Sequence, residues 1–131
     1  MTKAAKDMVA EAQTQVENLT PQQAAEEAQN GAVIVDVRDD EERRENGAVP
    51  GSVHVSRGML EFRADPASPY HNDALEPGKR VILHCASGGR SALAAKTLKE
   101  MGYTDVAHID GGFAAWKEQG LPVEEGAQKA K

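Results

Sequence analysis

Apolar residues occur along this chain in short, continuous runs that are separated by segments with helical patterns. The runs at 32–35, 80–84 and 106–109 are rich in β-branched residues, which is typical of strands buried on both faces of a parallel sheet. A shorter run at 52–55 predicts a further strand. Helical patterns occupy the segments 20–30, 39–45, 57–63 and 91–101 and the stretch around Trp116. Because strands alternate with helices, we predict an α/β fold in which helices cover both faces of a central parallel sheet.

The first nineteen residues predict an additional amphipathic helix. One narrow apolar stripe runs along it at helical spacing and consists of Ala5, Met8, Val9, Ala12 and Val16. We expect this helix to dock on the domain, and a dimer contact or a frayed arm are the alternatives for so thin a stripe.

The length and composition of the chain fit a single globular domain. A chain of 131 residues is too short for two ordinary domains. It can bury roughly 65–70% of its unfolded surface, so it needs neither a disulfide nor a metal to fold. We divide it into a helical extension at 1–18, a domain at 19–125 and a flexible C-terminal tail at 126–131.

The charge of the chain excludes some partners. With 21 acidic and 15 basic residues the net charge is −6, which argues against nucleic acid because phosphate contacts need clustered Lys and Arg. No stretch approaches the ~20 consecutive apolar residues of a membrane span. The N-terminus lacks the apolar core of a secretory signal, and a lone cysteine is at ease in a reducing compartment. We therefore expect a cytoplasmic protein without a membrane partner.

The chain's one cysteine, Cys85, directly follows a predicted strand and precedes a helix. Ligands of open α/β sheets bind at the carboxyl ends of the strands. The following residues, Ala86, Ser87, Gly88 and Gly89, are small, so their amides can point inward at a helix N-terminus and form a cradle that favours a thiolate. Arg90 adds a permanent positive charge. A buried core cysteine explains the thiol equally well, but it does not need the Gly-Gly-Arg that follows.

Four segments in order resemble the rhodanese family of sulfurtransferases, over roughly residues 19–123. They are the strand exit at 35–38, the turn at 47–52, the loop at 85–90, and Gly111-Gly112 followed by Trp116. The resemblance implies the rhodanese-like fold, a three-layer domain with a parallel sheet, which the extra N-terminal helix precedes. It also identifies the chain as a single-domain member of that family.

The resemblance implies that Cys85 takes sulfane sulfur from a donor such as thiosulfate and passes it, as a persulfide, to a thiophilic acceptor. The acceptor would be cyanide, a thiol or a protein, and no cofactor is implied. The amides of 86–90 would hold the persulfide, and Arg90 would stabilise the loop and its anionic contents. Asp36 and Arg38 would support the architecture through hydrogen bonds and an ion pair, for which Glu42 is a candidate partner.

Three positions depart from the family's pattern. Ala48 stands where histidine is frequent, and Arg43 where an aromatic or aliphatic residue is common. Ala86 replaces an arginine found in many relatives, which removes a positive charge near the sulfur and leaves the identity of the sulfur donor open.

Because no second cysteine is present to resolve the persulfide, the acceptor must be external. We expect a monomer or a weak homodimer.

Two other functions compete with sulfur transfer. Cysteine phosphatases and arsenate reductases of this architecture separate their cysteine from their arginine by five residues, whereas four residues separate Cys85 from Arg90. The tighter ring suits one sulfur atom better than a tetrahedral oxyanion. Rhodanese-like domains that have lost the cysteine serve as non-catalytic docking or regulatory modules, and the presence of Cys85 argues against that reading.

Two residues are weaker candidates for lining a pocket. Arg57 and His71 could face the sheet end if their segments flank it. His71 lies in residues 64–76, which are rich in Pro, Ser, Asn and Asp and therefore predict an exposed loop. Loops of this length inside compact domains are often functional.

The remaining histidines indicate structural roles. His84 should point to the opposite side of its strand from Cys85, because successive strand residues alternate. His54 and His108 lie within strands and predict hydrogen-bonded structural side chains. Four histidines without close pairing and a single cysteine do not indicate a metal site.

Overall fold

The computed structural model describes residues 2–125, which form a five-stranded parallel sheet with helices on both faces. The strands are Glu17–Leu19 (β1), Val33–Asp36 (β2), Val53–His54 (β3), Val81–His84 (β4) and Val106–Ile109 (β5). The helices are Ala5–Gln15 (α1), Pro21–Gln29 (α2), Asp40–Asn46 (α3), Leu60–Ala64 (α4), Gly89–Glu100 (α5) and Gly112–Glu118 (α6), with a 3₁₀ turn at Arg57–Met59. The predicted α/β class is confirmed.

The strands lie in the order β1-β5-β4-β2-β3, so β4, the strand that precedes Cys85, is central. Strand residues alternate between two cores, as the period of two requires. Val81 and Leu83 pack with α4 and α5 on one face, and Ile82 packs with α2 and α6 on the other. Each side of the sheet is therefore covered by helices, which explains why the strand runs are continuously apolar.

The local signals for α2 act as the sequence predicts. The Gln23 amide donates to Thr20 Oγ1 at 3.1 Å, and the Thr20 amide donates to Gln23 Oε1 at 2.9 Å. This reciprocal capping box satisfies two backbone donors that the helix itself leaves free. Pro21 occupies the first helical position, where its missing N–H costs nothing.

The N-terminal helix docks on the domain as expected, but it is shorter than the sequence predicts. The helix α1 ends at Gln15 and packs on α5, with Ala12 fully buried. Lys99 Nζ donates to the Gln15 carbonyl at 2.6 Å, which fastens the end of the helix. Residues Glu17–Leu19 leave the helix and pair with β5 as an edge strand. The prediction of a helix over nineteen residues is therefore wrong at its C-terminal end, where pairing with β5 outweighs helical propensity.

The segment predicted as a loop at 64–76 is irregular but is anchored in the core. Ala64 belongs to α4, and its carbonyl accepts a hydrogen bond from Tyr103 Oη at 2.7 Å. Burial raises the pKa of Tyr103 to about 12, so the donor stays protonated. Leu75 is fully buried, which corrects the expectation of an entirely exposed loop. Among residues 2–125, no helix is long and apolar enough to cross a membrane. The tail predicted at 126–131 lies outside the described residues.

Candidate active site

Cys85 lies at the carboxyl end of β4, in the middle of the sheet, with 1% of its surface exposed. Its Sγ accepts hydrogen bonds from the amides of Gly88, at 3.1 Å, and Ser91, at 3.4 Å. A buried thiol that serves only as core has no need of two backbone donors. The sulfur is instead placed where a negative charge on it would be stabilised by amides at the start of α5.

The turn around the sulfur depends on Gly88. This residue has φ +114°, in the left-handed region that side chains disfavour, and it caps α5. Its conformation reverses the chain after Ser87 and brings its own amide back to Sγ. The sequence-predicted loop at 85–90 therefore closes around the cysteine.

The Gly111-Gly112 pair supports this loop from the side of α6. A Cβ on Gly112, which has φ +62°, would lie 2.7 Å from the Cys85 carbonyl oxygen and from the Ala86 carbonyl carbon and oxygen. The close approach lets the Phe113 amide donate to the Cys85 carbonyl at 2.8 Å and the Ala114 amide donate to the Ala86 carbonyl at 3.0 Å. Two carbonyls of the loop are thus bonded to α6 and are held away from the sulfur.

Arg90 is fixed by a carboxylate of α3. Its guanidinium donates to both oxygens of Glu42, each at 2.9 Å. The bond from Arg90 lowers the pKa of Glu42 to about 2, and the bond to Glu42 together with the charge of Cys85 raises the pKa of Arg90. The expectation that Glu42 is a partner of Arg38 is therefore wrong, because Glu42 binds Arg90 and Arg38 binds Asp36. The pair ties the first turn of α5 to α3 while Arg90 stays near the sulfur.

A buried charge cluster fills the neighbouring strand end, where Asp36 follows the core of β2. Asp36 accepts hydrogen bonds from Arg38 Nε at 3.0 Å, Arg38 Nη2 at 2.8 Å and Arg43 Nη1 at 2.8 Å. Burial raises the pKa of this carboxyl, but the hydrogen bonds from Arg38 and its positive charge outweigh burial and lower the pKa to about 2. Arg38 Nη2 also donates to the Gly47 carbonyl at 2.8 Å, which holds the turn at 47–52.

Arg43 shows why an arginine replaces the apolar residue that is common at its position. Its side chain is 7% exposed and supplies the second positive partner of Asp36. The same guanidinium donates to Ser52 Oγ at 3.2 Å, so it links α3 to the turn before β3. The departure at this position therefore extends the buried ion cluster.

A line of hydrogen bonds leads from the sulfur to the N-terminal segment. Cys85 Sγ lies 3.6 Å from Ser91 Oγ, and Ser91 Oγ lies 2.9 Å from His108 Nδ1. His108 Nε2 lies 2.7 Å from Asn18 Oδ1. Both ring nitrogens of His108 are bonded, as expected for a structural histidine. Sequence patterns do not connect His108 with Cys85, because His108 lies in β5, Cys85 follows β4, and Ser91 of α5 joins them.

His84 faces away from the sulfur, as strand alternation predicts. It is fully buried, its ring stacks on Phe113 with centroids 6.0 Å apart, and Nδ1 bonds to the Cys85 carbonyl at 3.1 Å. A carbonyl only accepts, so Nδ1 carries the hydrogen and Nε2 is the free nitrogen, 3.8 Å from Asp36 Oδ2. Burial lowers the pKa of His84 and keeps the ring neutral.

Arg57 is not brought to the loop. Its guanidinium donates to Glu61 at 3.1 Å and to Thr97 Oγ1 at 3.3 Å. Thr97 follows Arg90 by seven residues on α5, which is about 10 Å along the helix axis. The side chain therefore links the 3₁₀ turn and α4 to the middle of α5.

The side chains of His71 and His54 form hydrogen bonds with backbone carbonyls and not with the loop at 85–90. His71 Nε2 bonds to the Leu75 carbonyl at 2.8 Å, and His54 Nε2 bonds to the Arg38 carbonyl at 2.7 Å. Ligand atoms of His71, Asp73 and Glu76 lie within 4.8 Å of one another, a grouping that the sequence did not indicate. Nε2 of this histidine is engaged with the Leu75 carbonyl, and the Asp73 side chain is fully exposed, so the geometry does not form a closed set of ligands.

Comparison with known protein families gives a consistent result. The profile of the "Rhodanese-like domain" family matches residues 20–119. The thiosulfate sulfurtransferase GlpE of Haemophilus influenzae is 35% identical over 109 residues, which cover 81% of this chain and 92% of that relative. The GlpE of Pseudomonas savastanoi is 34% identical over 104 residues, with 79% and 90% covered.

Solved structures resemble the chain over nearly its whole length. A Rhodopseudomonas palustris protein, described as of unknown function and a possible tyrosine phosphatase, has a TM-score of 0.89 and 46% identity, with 95% of this chain and 96% of that one covered. The polysulfide-sulfur transferase homodimer of Wolinella succinogenes has a TM-score of 0.76 and 31% identity, with 96% and 90% covered. These matches and the family profile agree with the ordered motifs and the parallel sheet. The chain belongs to the family of proteins with a rhodanese-like domain.

Proposed function

We propose that the protein is a sulfurtransferase in which Cys85 carries sulfane sulfur as a persulfide. The curated relatives named above are thiosulfate sulfurtransferases, and their resemblance covers most of both chains. The observation that carries the proposal is that Cys85 Sγ, at the end of a central strand, accepts hydrogen bonds from the backbone amides of Gly88 and Ser91.

Further donors are available for an atom attached to the sulfur. Within residues 2–125, no acceptor bonds the amides of Ala86, Ser87, Gly89 and Arg90, while the carbonyls of Cys85 and Ala86 are engaged by α6. Persulfide sulfur is anionic, and hydrogen bonds from amides to an anion are stronger than those to a neutral group. This arrangement supports a loop that holds the terminal sulfur of a persulfide.

The reaction needs two displacements at sulfur. The Cys85 thiolate attacks the outer sulfur of a donor such as thiosulfate, a Cys–S–S⁻ bond forms, and the bond to sulfite breaks as sulfite leaves with its electron pair. Cyanide or a thiolate then attacks the terminal sulfur and leaves as thiocyanate or a persulfide, which restores the Cys85 thiolate. No external oxidant or reductant enters this sequence. It is a covalent, ping-pong route.

The chain contains a single cysteine, so the acceptor must come from outside. A small thiol, cyanide or a protein acceptor fits this requirement. The lone thiol fits the reducing cytoplasm, which we propose as the setting. The Wolinella succinogenes neighbour is a homodimer and a polysulfide-sulfur transferase, so polysulfide belongs among the donors to be tested, and a monomer or weak homodimer is our expectation for assembly.

Phosphatase chemistry is the competing enzyme function, since one structural neighbour is described as a possible tyrosine phosphatase. Two observations disfavour it. Four residues, not five, separate Cys85 from Arg90. Arg90 is also committed to both oxygens of Glu42, so its donors are directed at a carboxylate of the protein. A docking module without catalysis is disfavoured because the cysteine and its donors are all in place.

Intact-protein mass spectrometry after incubation with thiosulfate tests the proposal. We expect a mass gain of one sulfur atom that is lost on addition of cyanide, with thiocyanate as the product. Cys85→Ser is the matched control, because it removes the chain's one thiol and keeps a similar volume. This variant should gain no sulfur and should unfold at the same urea concentration.

The mass measurement is repeated with three sulfur donors to decide whether Cys85 forms a persulfide. Protein that stays unmodified with thiosulfate, polysulfide and glutathione persulfide would overturn the proposal. Hydrolysis of p-nitrophenyl phosphate that disappears in Cys85→Ser would favour the phosphatase instead.

A further inference from the structure

Ser91 and His108 form a fully buried pair between the sulfur and the N-terminal segment. Ser91 Oγ lies 2.9 Å from His108 Nδ1 and 3.6 Å from Cys85 Sγ. On the far side of the ring, His108 Nε2 lies 2.7 Å from Asn18 Oδ1. Four side chains thus make one continuous line that ends on the nucleophile of the proposed reaction.

The hydrogen on the His108 ring is assigned by the partners of Asn18. Asn18 Nδ2 donates to the carbonyls of Gln13, at 3.0 Å, and Val16, at 3.1 Å, so its Oδ1 is the atom turned towards His108. Because an amide oxygen only accepts, His108 Nε2 carries a hydrogen. In the neutral ring Nδ1 is then an acceptor.

The serine hydroxyl completes the assignment. Ser91 Oγ–H donates to His108 Nδ1, which leaves the oxygen's lone pairs for the Cys85 S–H. The Gly88 carbonyl is a second acceptor for the hydroxyl, at 3.3 Å, but it is farther away than Nδ1. The thiol therefore faces an oxygen whose own proton is directed at a basic nitrogen.

We propose that His108 receives, through Ser91, the proton that Cys85 gives up when it becomes a thiolate. The S–H proton passes to Ser91 Oγ as the hydroxyl proton passes to His108 Nδ1, so the serine ends unchanged. The product is a thiolate that accepts the Ser91 O–H and an imidazolium that donates to Ser91 Oγ and Asn18 Oδ1. Every donor and acceptor of the line stays bonded in both states.

Burial disfavours a charged His108 ring, so the imidazolium needs a nearby negative charge when it forms. Burial lowers the pKa of His108 and the charge of Asp110 opposes this change, so the ring is neutral before transfer. Cys85, which follows β4, supplies the negative charge that stabilises the imidazolium once the proton has moved. Arg90 on α5 carries a positive charge near the sulfur, while β1 presents the uncharged Asn18.

Ser91 touches the reacting sulfur, and His108 acts through it as a positioning residue. The inference rests on the proposed function because it concerns that reaction's nucleophile. It is tested, however, by the rate at which iodoacetamide alkylates Cys85, and this reaction needs no sulfur donor. A protein that forms no persulfide would still report whether His108 assists ionisation, so the two proposals fail separately.

The test compares alkylation rates from pH 5 to 10, a range of about five units around the ordinary thiol value, in wild type, Ser91→Ala and His108→Gln. Glutamine keeps one donor and one acceptor but cannot take up a proton. We expect the midpoint of the rate profile to move up by about one pH unit, so that alkylation at neutral pH slows about tenfold. His71→Gln, in the loop after α4, is the control and should match wild type.

An unchanged midpoint in a folded His108→Gln protein would overturn the proposal. Should that variant unfold, histidine nitrogen NMR on the wild type decides the matter. The proposal requires hydrogen on Nε2 of His108 at neutral pH, together with a change at Nδ1 when iodoacetamide blocks Cys85. Hydrogen on Nδ1, or a ring that is insensitive to the block, would also overturn it.

Discussion

The ends of β2 and β4 are neighbours in the sheet, with Asp36 opposite His84, and they are built in opposite ways. At the end of β2, one buried carboxylate, Asp36, forms ion pairs with two buried guanidinium groups. Behind β4, Cys85 is surrounded by donors, and the loop carbonyls that could compete for them are bonded to α6. Ion pairs within the protein hold the end of β2 together, whereas the proposed function uses the amide donors after β4 for an incoming anion.

The largest effect should come from breaking the scaffold with Asp36→Asn. The change leaves the charges of Arg38 and Arg43 buried without a carboxylate, and breaking a buried pair in this way costs about 3–5 kcal/mol. Urea unfolding measures the loss. Glu100→Gln, in the exposed pair with Lys96, is the control and should change little. An Asn variant as stable as wild type would show that the cluster does not hold the fold.

The same carboxylate should also give the protein part of its sensitivity to acid. The pKa of Asp36 is lowered from 3.8 to about 2, and that of Glu42 from 4.5 to about 2. A lowered pKa in the folded state adds stability above the unfolded pKa, and this stability is lost as pH falls towards the folded pKa. The free energy of unfolding should therefore drop between pH 4.5 and pH 2 and should drop less in Asp36→Asn.

A smaller effect on stability but a clear effect on sulfur transfer is expected for Gly112→Ala. The new Cβ would press on the Cys85 and Ala86 carbonyls from 2.7 Å and displace the loop. Misplacing reacting groups by about 1 Å can slow catalysis on the order of 100-fold. Persulfide formation measured by mass spectrometry checks this expectation.

Gly120→Ala is the matched control for that change. Gly120 also has positive φ, +75°, but its Cβ would meet no atom within 4 Å. It should therefore lose only the conformational term, about 1–2 kcal/mol, and retain sulfur transfer. Equal losses of activity in Gly112→Ala and Gly120→Ala would show that the close approach of Gly112 to the loop at 85–90 is not needed for sulfur transfer.

The smallest effect on stability and activity is expected for Glu42→Gln, which breaks the ion pair between α3 and the loop that follows β4. The ion pair with Arg90 is partly exposed, so the free energy of unfolding should change by at most about 1 kcal/mol. Release of Arg90 should favour an anionic donor and lower the KM for thiosulfate about two- to fivefold. Glu61→Gln, which breaks the comparably exposed pair with Arg57, should leave KM unchanged. A raised KM in Glu42→Gln would mean that the ion pair orients the arginine for the donor.

Sequence reasoning succeeded where the signal is local. The strand at 106–109 and the capping box of α2 follow from neighbouring residues, and the structure has both. The loop at 85–90 was also evident, because its small residues and its spacing are contiguous. Local patterns therefore predicted the class of fold and the position of the sulfur.

Contacts between distant segments were not predictable in the same way. Strand β1 has three residues, too few to show a period, and it exists because β5 pairs with it. Glu42 could have joined either arginine, and only the three-dimensional position of α3 beside the first turn of α5 selects Arg90. His108 and Asn18 are 90 residues apart in the chain, so no spacing rule connects them.

The short strand β1 also has a consequence for the solubility of shortened forms. The family profile begins at residue 20, immediately after β1. A protein cut at that point would leave β5 as the sheet's outer strand, with unpaired N–H and C=O groups along a strand of apolar residues. Such an edge invites pairing with other chains, so we expect a form that lacks the three residues of β1 to aggregate more readily than the full chain.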